Sequence, residues 1–130
     1  MEVDYIFVYG TLKQNIKKSK YNLISKFTKF VDYGYTYGTL YQISYYPGAK
    51  LNPNINNKIY GEIYYIKDKD KLFEIVDEYE ECTPKYPNPH EYKRVITDVF
   101  TNKNYKLQAW IYEYNLNTNY LKPILSGIFK

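Results

Sequence analysis

Apolar and aromatic residues recur along this chain in short runs whose composition is typical of β-strands. Valine, isoleucine, tyrosine and threonine suit a pleated, half-buried surface, and glycine, proline and asparagine mark the turns between runs. Five strands are predicted, at residues 3–9, 35–44, 58–66, 92–101 and 105–114, with a hairpin loop at 102–104. Gly61, inside the third of these strands, indicates a bulge or a close approach of another backbone.

One segment has helical periodicity instead. Its apolar residues recur at i, i+3, i+4 and i+7, which predicts a helix over 69–80 with a single buried stripe. Asp68 is its expected N-cap, and Thr83-Pro84 is expected to end it. The stripe comprises Leu72, Ile75, Val76 and Tyr79.

The remaining segments are predicted to be irregular. Residues 13–31 are interpreted as a loop with a short helix, Pro47-Gly48 as a turn, 52–57 as a loop, and 115–130 as an extended or turn-rich tail. Several strands with one main helix and long loops favour an α+β fold. We expect a single domain over 1–130, in which a small, mostly antiparallel or mixed sheet curls into a barrel with the helix packed on it.

Composition narrows the classes of function. The chain has 130 residues, including 19 tyrosines, one cysteine and one histidine. A disulfide within the chain and a zinc quartet are excluded, and we expect no metal and no cofactor. A catalytic device that needs histidine would depend on His90, which lies in a proline-rich loop.

The net charge of +4 leaves a nucleic-acid surface open as an alternative. We expect no nucleic-acid partner, because no arginine and aromatic residues interleave with the clustered lysines. The N-terminus has Glu2 and Asp4 where a signal peptide would be basic, and no segment is as long and apolar as a membrane span. We therefore expect a cytoplasmic protein that does not bind membranes, and the sequence leaves its oligomeric state open. The clustered lysines are Lys17, Lys18, Lys20, Lys26 and Lys29.

The end of the first strand is a candidate binding loop, with the sequence Tyr9-Gly10-Thr11-Leu12. Glycine without a Cβ lets a ligand approach the backbone closely. Free N–H groups in such a loop can bind a carboxylate or carbonyl oxygen. A plain turn is the alternative interpretation of the same residues.

The end of the predicted helix carries a cluster of acidic residues, which are candidates for acid–base chemistry. Asp77, Glu80 and Glu81 are spaced i, i+3 and i+4, which places them on one side of a helix. Neighbouring like charges and the negative end of the helix dipole should raise the pKa of Glu80. A raised pKa suits a general acid–base, and a solvated acidic helix end is the alternative.

Tyr92 and Arg94 are two residues apart on a predicted strand, so their side chains share a face. Arg94 has three possible roles: it binds a substrate carboxylate, pairs with the acidic cluster, or is simply exposed.

Taken in order, these segments resemble the γ-glutamylcyclotransferase-like family of small barrels over about 110 residues. The resemblance is carried by Val8-Tyr9-Gly10-Thr11-Leu12-Lys13, Gly38-Thr39-Leu40-Tyr41, Tyr46-Pro47-Gly48-Ala49, Gly61-Glu62-Ile63-Tyr64, Asp77-Glu78-Tyr79-Glu80 and Tyr92-Lys93-Arg94.

The resemblance implies a reaction in which a γ-glutamyl amine or γ-glutamyl amino acid becomes 5-oxoproline and a free amine. It implies that the backbone from Tyr9 to Leu12 holds the glutamyl end and that Glu80 carries the proton. We expect Tyr92 and Arg94 to complete the binding of this small substrate. Because the substrate's own amine attacks, no protein nucleophile is needed.

Three departures from the family pattern bear on the choice of substrate. The loop from Thr83 to Glu91 is long and rich in proline, and we expect it to reshape the mouth of the pocket. Glu81-Cys82 follows Glu80 where most of the family has glycine, which is similar to the γ-glutamylamine cyclotransferase branch. Glu81 therefore competes with Glu80 for the proton-carrying role. The tail Gly127-Ile128-Phe129 lacks the Gly-Asp-Trp ending of many relatives. The alternative function is a non-catalytic module that binds a small molecule in the same pocket.

Overall fold

Seven strands and one helix organise the chain, and the computed structural model describes residues 2–130. The helix α1 spans Lys69–Tyr79. The strands are β1 (Tyr5–Val8), β2 (Thr28–Gln42), β3 (Pro47–Leu51), β4 (Lys58–Ile66), β5 (Tyr92–Thr101), β6 (Lys106–Tyr114) and β7 (Lys122–Pro123).

Five of the strands form a closed barrel, which confirms the predicted fold class. Their order is β2-β4-β1-β6-β5, and β5 pairs back onto β2 to close the ring. The pairing of β1 with β6 is parallel, and the other pairings are antiparallel. Outside the ring, β3 and β7 both pair with β2. Closure removes the free edges that an open sheet of this size would expose.

The side chains of β1 point alternately to its two faces, so this short strand contributes to two hydrophobic clusters. Ile6 and Val8 pack in a cluster with the helix residues Leu72 and Val76. Phe7 faces the other way, into a cluster built from the strands and the C-terminal tail. Successive side chains of a strand point to opposite faces, so β1 lies between the helix layer and the second cluster, and its end is held in place from both sides.

Gly61 lies in β4 opposite the end of β1. A Cβ at this position would overlap the carbonyl oxygen of Val8. The prediction of a close backbone contact at Gly61 is therefore confirmed.

The helix α1 begins as predicted, because the Asp68 carboxylate accepts a hydrogen bond from the Lys71 amide at 3.1 Å. Leu72 and Val76 form its fully buried stripe. Its regular part ends at Tyr79, one residue earlier than predicted, and Glu80 is the C-cap.

Two predictions about local structure were wrong. Residues 28–34 belong to β2, and only two short 3-10 turns, Tyr21–Leu23 and Ser25–Phe27, precede it. Phe30 and Val31 lie at a spacing that suggests a helix, but in β2 they lie on an exposed surface of the sheet. Pro47-Gly48 begins β3 and is not a turn. Proline is tolerated there because the first residue of a strand needs no ladder N–H.

The C-terminal tail is irregular apart from β7, as predicted. It is held against the barrel by hydrogen bonds from the Ile124 amide to the Leu40 carbonyl and from the buried Lys13 ammonium to the Phe129 carbonyl, both 2.7 Å. No helix within residues 2–130 is long and apolar enough to cross a membrane.

Candidate active site

A cavity of about 190 Å³ opens where the end of β1, the end of α1 and the starts of β3 and β5 meet. It contains the predicted loop and Glu80 together. Its lining residues are Phe7, Val8, Tyr9, Gly10, Thr11, Leu12, Tyr45, Tyr46, Pro47, Tyr79, Glu80, Glu81, Glu91, Tyr92 and Tyr112.

The loop after β1 offers main-chain donors at the cavity. The amides of Gly10, Thr11 and Leu12 donate no hydrogen bond to any residue in the described part of the chain. The loop is nevertheless ordered, because the Lys13 amide donates to the Gly10 carbonyl at 3.0 Å. Free N–H groups in a fixed loop are suited to bind oxyanions or carbonyl oxygens of a ligand.

Side-chain hydroxyls hold this loop from both sides. The Tyr9 hydroxyl donates to the Tyr112 carbonyl at 2.7 Å and accepts from the Ala49 amide at 3.1 Å. The Thr11 hydroxyl lies 2.7 Å from the hydroxyl of Tyr79, the last residue of α1. The loop is therefore tied to β6, to β3 and to the helix end that carries Glu80.

Gly10 is required by the packing of the protein itself. A Cβ on Gly10 would lie 2.9 Å from Cγ and 3.0 Å from Cδ of Pro47. From the sequence, this glycine is predicted to let a ligand approach the backbone. Gly10 does line the cavity, but the space beside its Cα is already filled by the proline ring.

Glu80 has the electrostatic character of an acid–base group. It is the helix C-cap, and no described residue donates a hydrogen bond to its carboxylate. Burial, followed by the nearby carboxylates of Glu91 and Glu81, raises the pKa of Glu80 to about 8. A carboxyl group with this pKa can accept and return a proton near neutral pH.

Of the two acidic neighbours predicted to raise the pKa of Glu80, Glu81 does so and Asp77 does not. Glu81 has a positive φ of 56°, so the chain turns away from the helical path directly after Glu80. Glu80 and Glu81 line the cavity, whereas Asp77 accepts a hydrogen bond from the Tyr112 hydroxyl at 2.5 Å, outside it. Residues spaced i and i+3 lie on the same side of a helix only if the helix continues through both of them. The helix here ends at Tyr79, before Glu80 and Glu81.

Glu91 lines the cavity but was not among the predicted site residues, although the loop that ends with it was expected at the cavity mouth. It lies directly before β5, and its carboxylate accepts a hydrogen bond from the Tyr46 hydroxyl at 2.5 Å. The residue belongs to a proline-rich loop without periodicity, so no sequence pattern predicts which side chain of the loop reaches the cavity.

Tyr92 and Arg94 are two residues apart on β5, but only the side chain of Tyr92 reaches the cavity. Tyr92 lines the cavity and donates a hydrogen bond to the Pro47 carbonyl at 2.6 Å. Arg94 lies outside the cavity, 3.6 Å from an Asp77 oxygen and with its guanidinium 3.8 Å from the centre of the Phe73 ring. Of the roles considered for Arg94, the structure has it paired with the acidic helix end.

A family model described as Gamma-glutamyl cyclotransferase, AIG2-like, matches residues 6–130. The chain belongs to this family. Family membership and fold together support a γ-glutamyl cyclotransferase-like function. No curated protein sequence matches the chain.

Solved structures agree with the family's fold. YkqA from Bacillus subtilis superposes with a TM-score of 0.73 at 23% identity, over 98% of this chain. This chain spans only 40% of YkqA. The uncharacterized protein PH0828 from Pyrococcus horikoshii has a TM-score of 0.64 at 26% identity, covering 98% of this chain and 89% of its own. An AIG2-like protein from Mus musculus has a TM-score of 0.71 at 21% identity, covering 95% and 86%.

Proposed function

We propose that this protein converts a γ-glutamyl amine or γ-glutamyl amino acid into 5-oxoproline and a free amine, and that Glu80 carries the proton. The observation that supports this most strongly is the meeting, in one cavity, of free loop amides with a partly buried carboxyl group that has no hydrogen-bond partner among the described residues. The amides suit the oxygens of the substrate, and the carboxyl group suits its nitrogens.

The chemistry requires proton transfer and correct geometry. Glu80 as a carboxylate takes a proton from the α-ammonium of the substrate. The free α-amine then attacks the γ-carbonyl carbon, and a new C–N bond closes the five-membered ring. Protonated Glu80 donates to the leaving nitrogen as the old C–N bond breaks. The ring nitrogen then gives its second proton to the Glu80 carboxylate, which passes it to the departing amine. The α-nitrogen thus loses two protons, the leaving amine gains two and departs as an ammonium, and Glu80 ends as a carboxylate.

The loop Tyr9–Leu12 supplies orientation in this proposal. Attack within one molecule depends on holding the chain folded back on itself, which is a proximity effect. The amides of Gly10, Thr11 and Leu12 are available both for this and for the oxygen that becomes negative during attack. An engineered cavity of about 150 Å³ accepts benzene, so about 190 Å³ suits a five-membered lactam with one carboxylate.

We propose further that the leaving group is an amine rather than the amino acid of an ordinary γ-glutamyl dipeptide. The support is the Glu81-Cys82 pair after Glu80, which resembles the γ-glutamylamine cyclotransferase branch. The part of the substrate beyond the γ-carbonyl would then lie at the cavity mouth, where Tyr45 is 81% exposed.

A release screen tests the proposal. Purified protein is incubated with γ-glutamyl amines, γ-glutamyl amino acids and glutathione, and 5-oxoproline is measured. We expect release from at least one γ-glutamyl compound, with the amines preferred. Binding of 5-oxoproline without release from any compound, from mildly acidic to alkaline pH, would identify a non-catalytic binding module instead.

A further inference from the structure

Glu91 combines a fixed position with an oxygen that is free to bind a ligand. The Tyr46 hydroxyl donates to Oε2 of Glu91, while Oε1 accepts no hydrogen bond from the described residues. Burial and the Glu91 carboxylate raise the pKa of Tyr46, so its hydroxyl remains a donor at neutral pH. The Glu91 carbonyl accepts from the Asn115 amide at 2.7 Å, which fixes the backbone against the end of β6.

The described residues that line the cavity with Glu91 include no positively charged side chain. Among the fifteen described residues that line the cavity, three are glutamates and none is lysine, arginine or histidine. Carboxylates gathered in a partly desolvated space repel one another. A cationic group of a ligand is therefore favoured next to the free oxygen of Glu91.

The proposed reaction supplies such a group only before the ring closes. A γ-glutamyl compound enters with an α-ammonium, but in 5-oxoproline the same nitrogen is a neutral lactam N–H. We propose that Glu91 binds the α-ammonium of the substrate within reach of Glu80 and distinguishes the open substrate from the cyclised product. This inference rests on the proposed function, and it adds a binding residue and a basis for product release.

The change in charge from substrate to product favours release of the product. Once cyclisation has removed the ammonium, the product presents a carboxylate to a cavity wall that carries Glu91. The attraction that held the substrate is lost, and repulsion between like charges replaces it. The cavity therefore binds the product less tightly than the substrate.

The Glu91→Gln variant tests this role. It keeps the size of the side chain and the ability to accept from Tyr46, and it removes the charge. The substrate is the γ-glutamyl compound that the wild type cyclises fastest, and 5-oxoproline serves as the product inhibitor. Glu74→Gln is the matched control, because Glu74 is exposed on α1 and lies outside the cavity.

We expect Glu91→Gln to raise KM at least about tenfold, as is typical for loss of a charge-assisted hydrogen bond. The inhibition constant of 5-oxoproline should stay unchanged or fall, because the product has no ammonium to lose a contact. Glu74→Gln should leave both constants unchanged.

Two results would overturn the inference. One is a KM within twofold of wild type, and the other is a parallel rise of KM and the 5-oxoproline inhibition constant, which indicates general distortion of the cavity. Tyr46→Phe is the second variant if Glu91→Gln does not fold. It leaves the Glu91 charge but removes its anchor, and it should raise KM without raising the inhibition constant. If the wild type cyclises no γ-glutamyl compound, the proposed function fails first, and this inference fails with it.

Discussion

The hydroxyl oxygens of Thr11 and Tyr79 lie 2.7 Å apart, and this contact joins the loop after β1 to the last residue of α1. Glu80 follows Tyr79 directly, so the hydrogen bond sets the position of the proposed proton carrier relative to the free loop amides. A single pair of side chains thereby couples the two halves of the site.

Tyr79→Phe tests that coupling. The variant keeps the aromatic ring and removes the hydroxyl, which leaves Thr11 without its partner. We expect the free energy of unfolding to fall by about 0.5–1.5 kcal/mol and 5-oxoproline release to fall more than stability alone explains. Urea denaturation and steady-state kinetics measure the two effects, with Tyr120→Phe as a control at a fully exposed tyrosine. Unchanged kcat/KM would show that the contact does not position the site.

Gly10→Ala tests the packing of the loop against Pro47. The added Cβ would lie 2.9 Å from the proline ring, so the loop or the start of β3 must shift. We expect a loss of about 1–3 kcal/mol in stability, typical of overpacking, together with weaker binding of 5-oxoproline. The double variant Gly10→Ala with Pro47→Ala should recover part of the stability. Additive losses in the double variant would rule out the clash as the cause.

The pH dependence of activity shows which neighbouring carboxylate affects the pKa of Glu80. If Glu80 acts first as a base, activity rises as the pH increases through its pKa of about 8. Removing the like charge in Glu81→Gln lowers that pKa, so the midpoint should move to lower pH. Asp77→Asn should leave the midpoint in place, because Asp77 interacts with Tyr112 and Arg94 instead. Equal shifts in both variants would contradict this arrangement.

The pH dependence of stability gives an independent test of the environment of Glu80. Its pKa is raised from 4.5 in the reference state to about 8 in the fold, so folding favours the protonated form. The stabilising contribution is therefore complete below pH 4.5 and is lost as the pH rises through 8. Glu80→Gln does not ionise, and it should melt at a higher temperature than wild type near pH 9, with the difference shrinking toward pH 4. If the melting temperatures of wild type and Glu80→Gln differed by the same amount at every pH in this range, the pKa of Glu80 would not be raised in the fold.

Much of the barrel could be predicted from the sequence, because its pattern is local. β4 and β5 have the predicted bounds, and Asp68 caps α1 as expected. The first half of β2 could not be predicted, since its apolar residues face solvent and mimic a helical spacing. The strand character of Pro47-Gly48 depends on pairing with β2, which no local pattern reveals.

The residues of the candidate site also fall into those that the sequence predicts and those that depend on tertiary contacts. Tyr9, Gly10, Thr11, Leu12, Glu80 and Tyr92, which the sequence singled out, all line one cavity. Arg94 lies elsewhere because the aromatic rings of Phe73 and Trp110 hold its guanidinium. Glu91 reaches the cavity through the path of an irregular loop, and such a path depends on tertiary contacts rather than on spacing.

Turnover by Glu80→Gln tests the central claim most directly. The measurement compares 5-oxoproline release from the preferred γ-glutamyl compound by wild type, Glu80→Gln and the control Glu74→Gln, with 5-oxoproline binding as the check that the cavity is intact. The account predicts a fall in kcat of at least ~100-fold for Glu80→Gln with binding retained, and no change for Glu74→Gln. Near-wild-type turnover by a folded Glu80→Gln variant would contradict it.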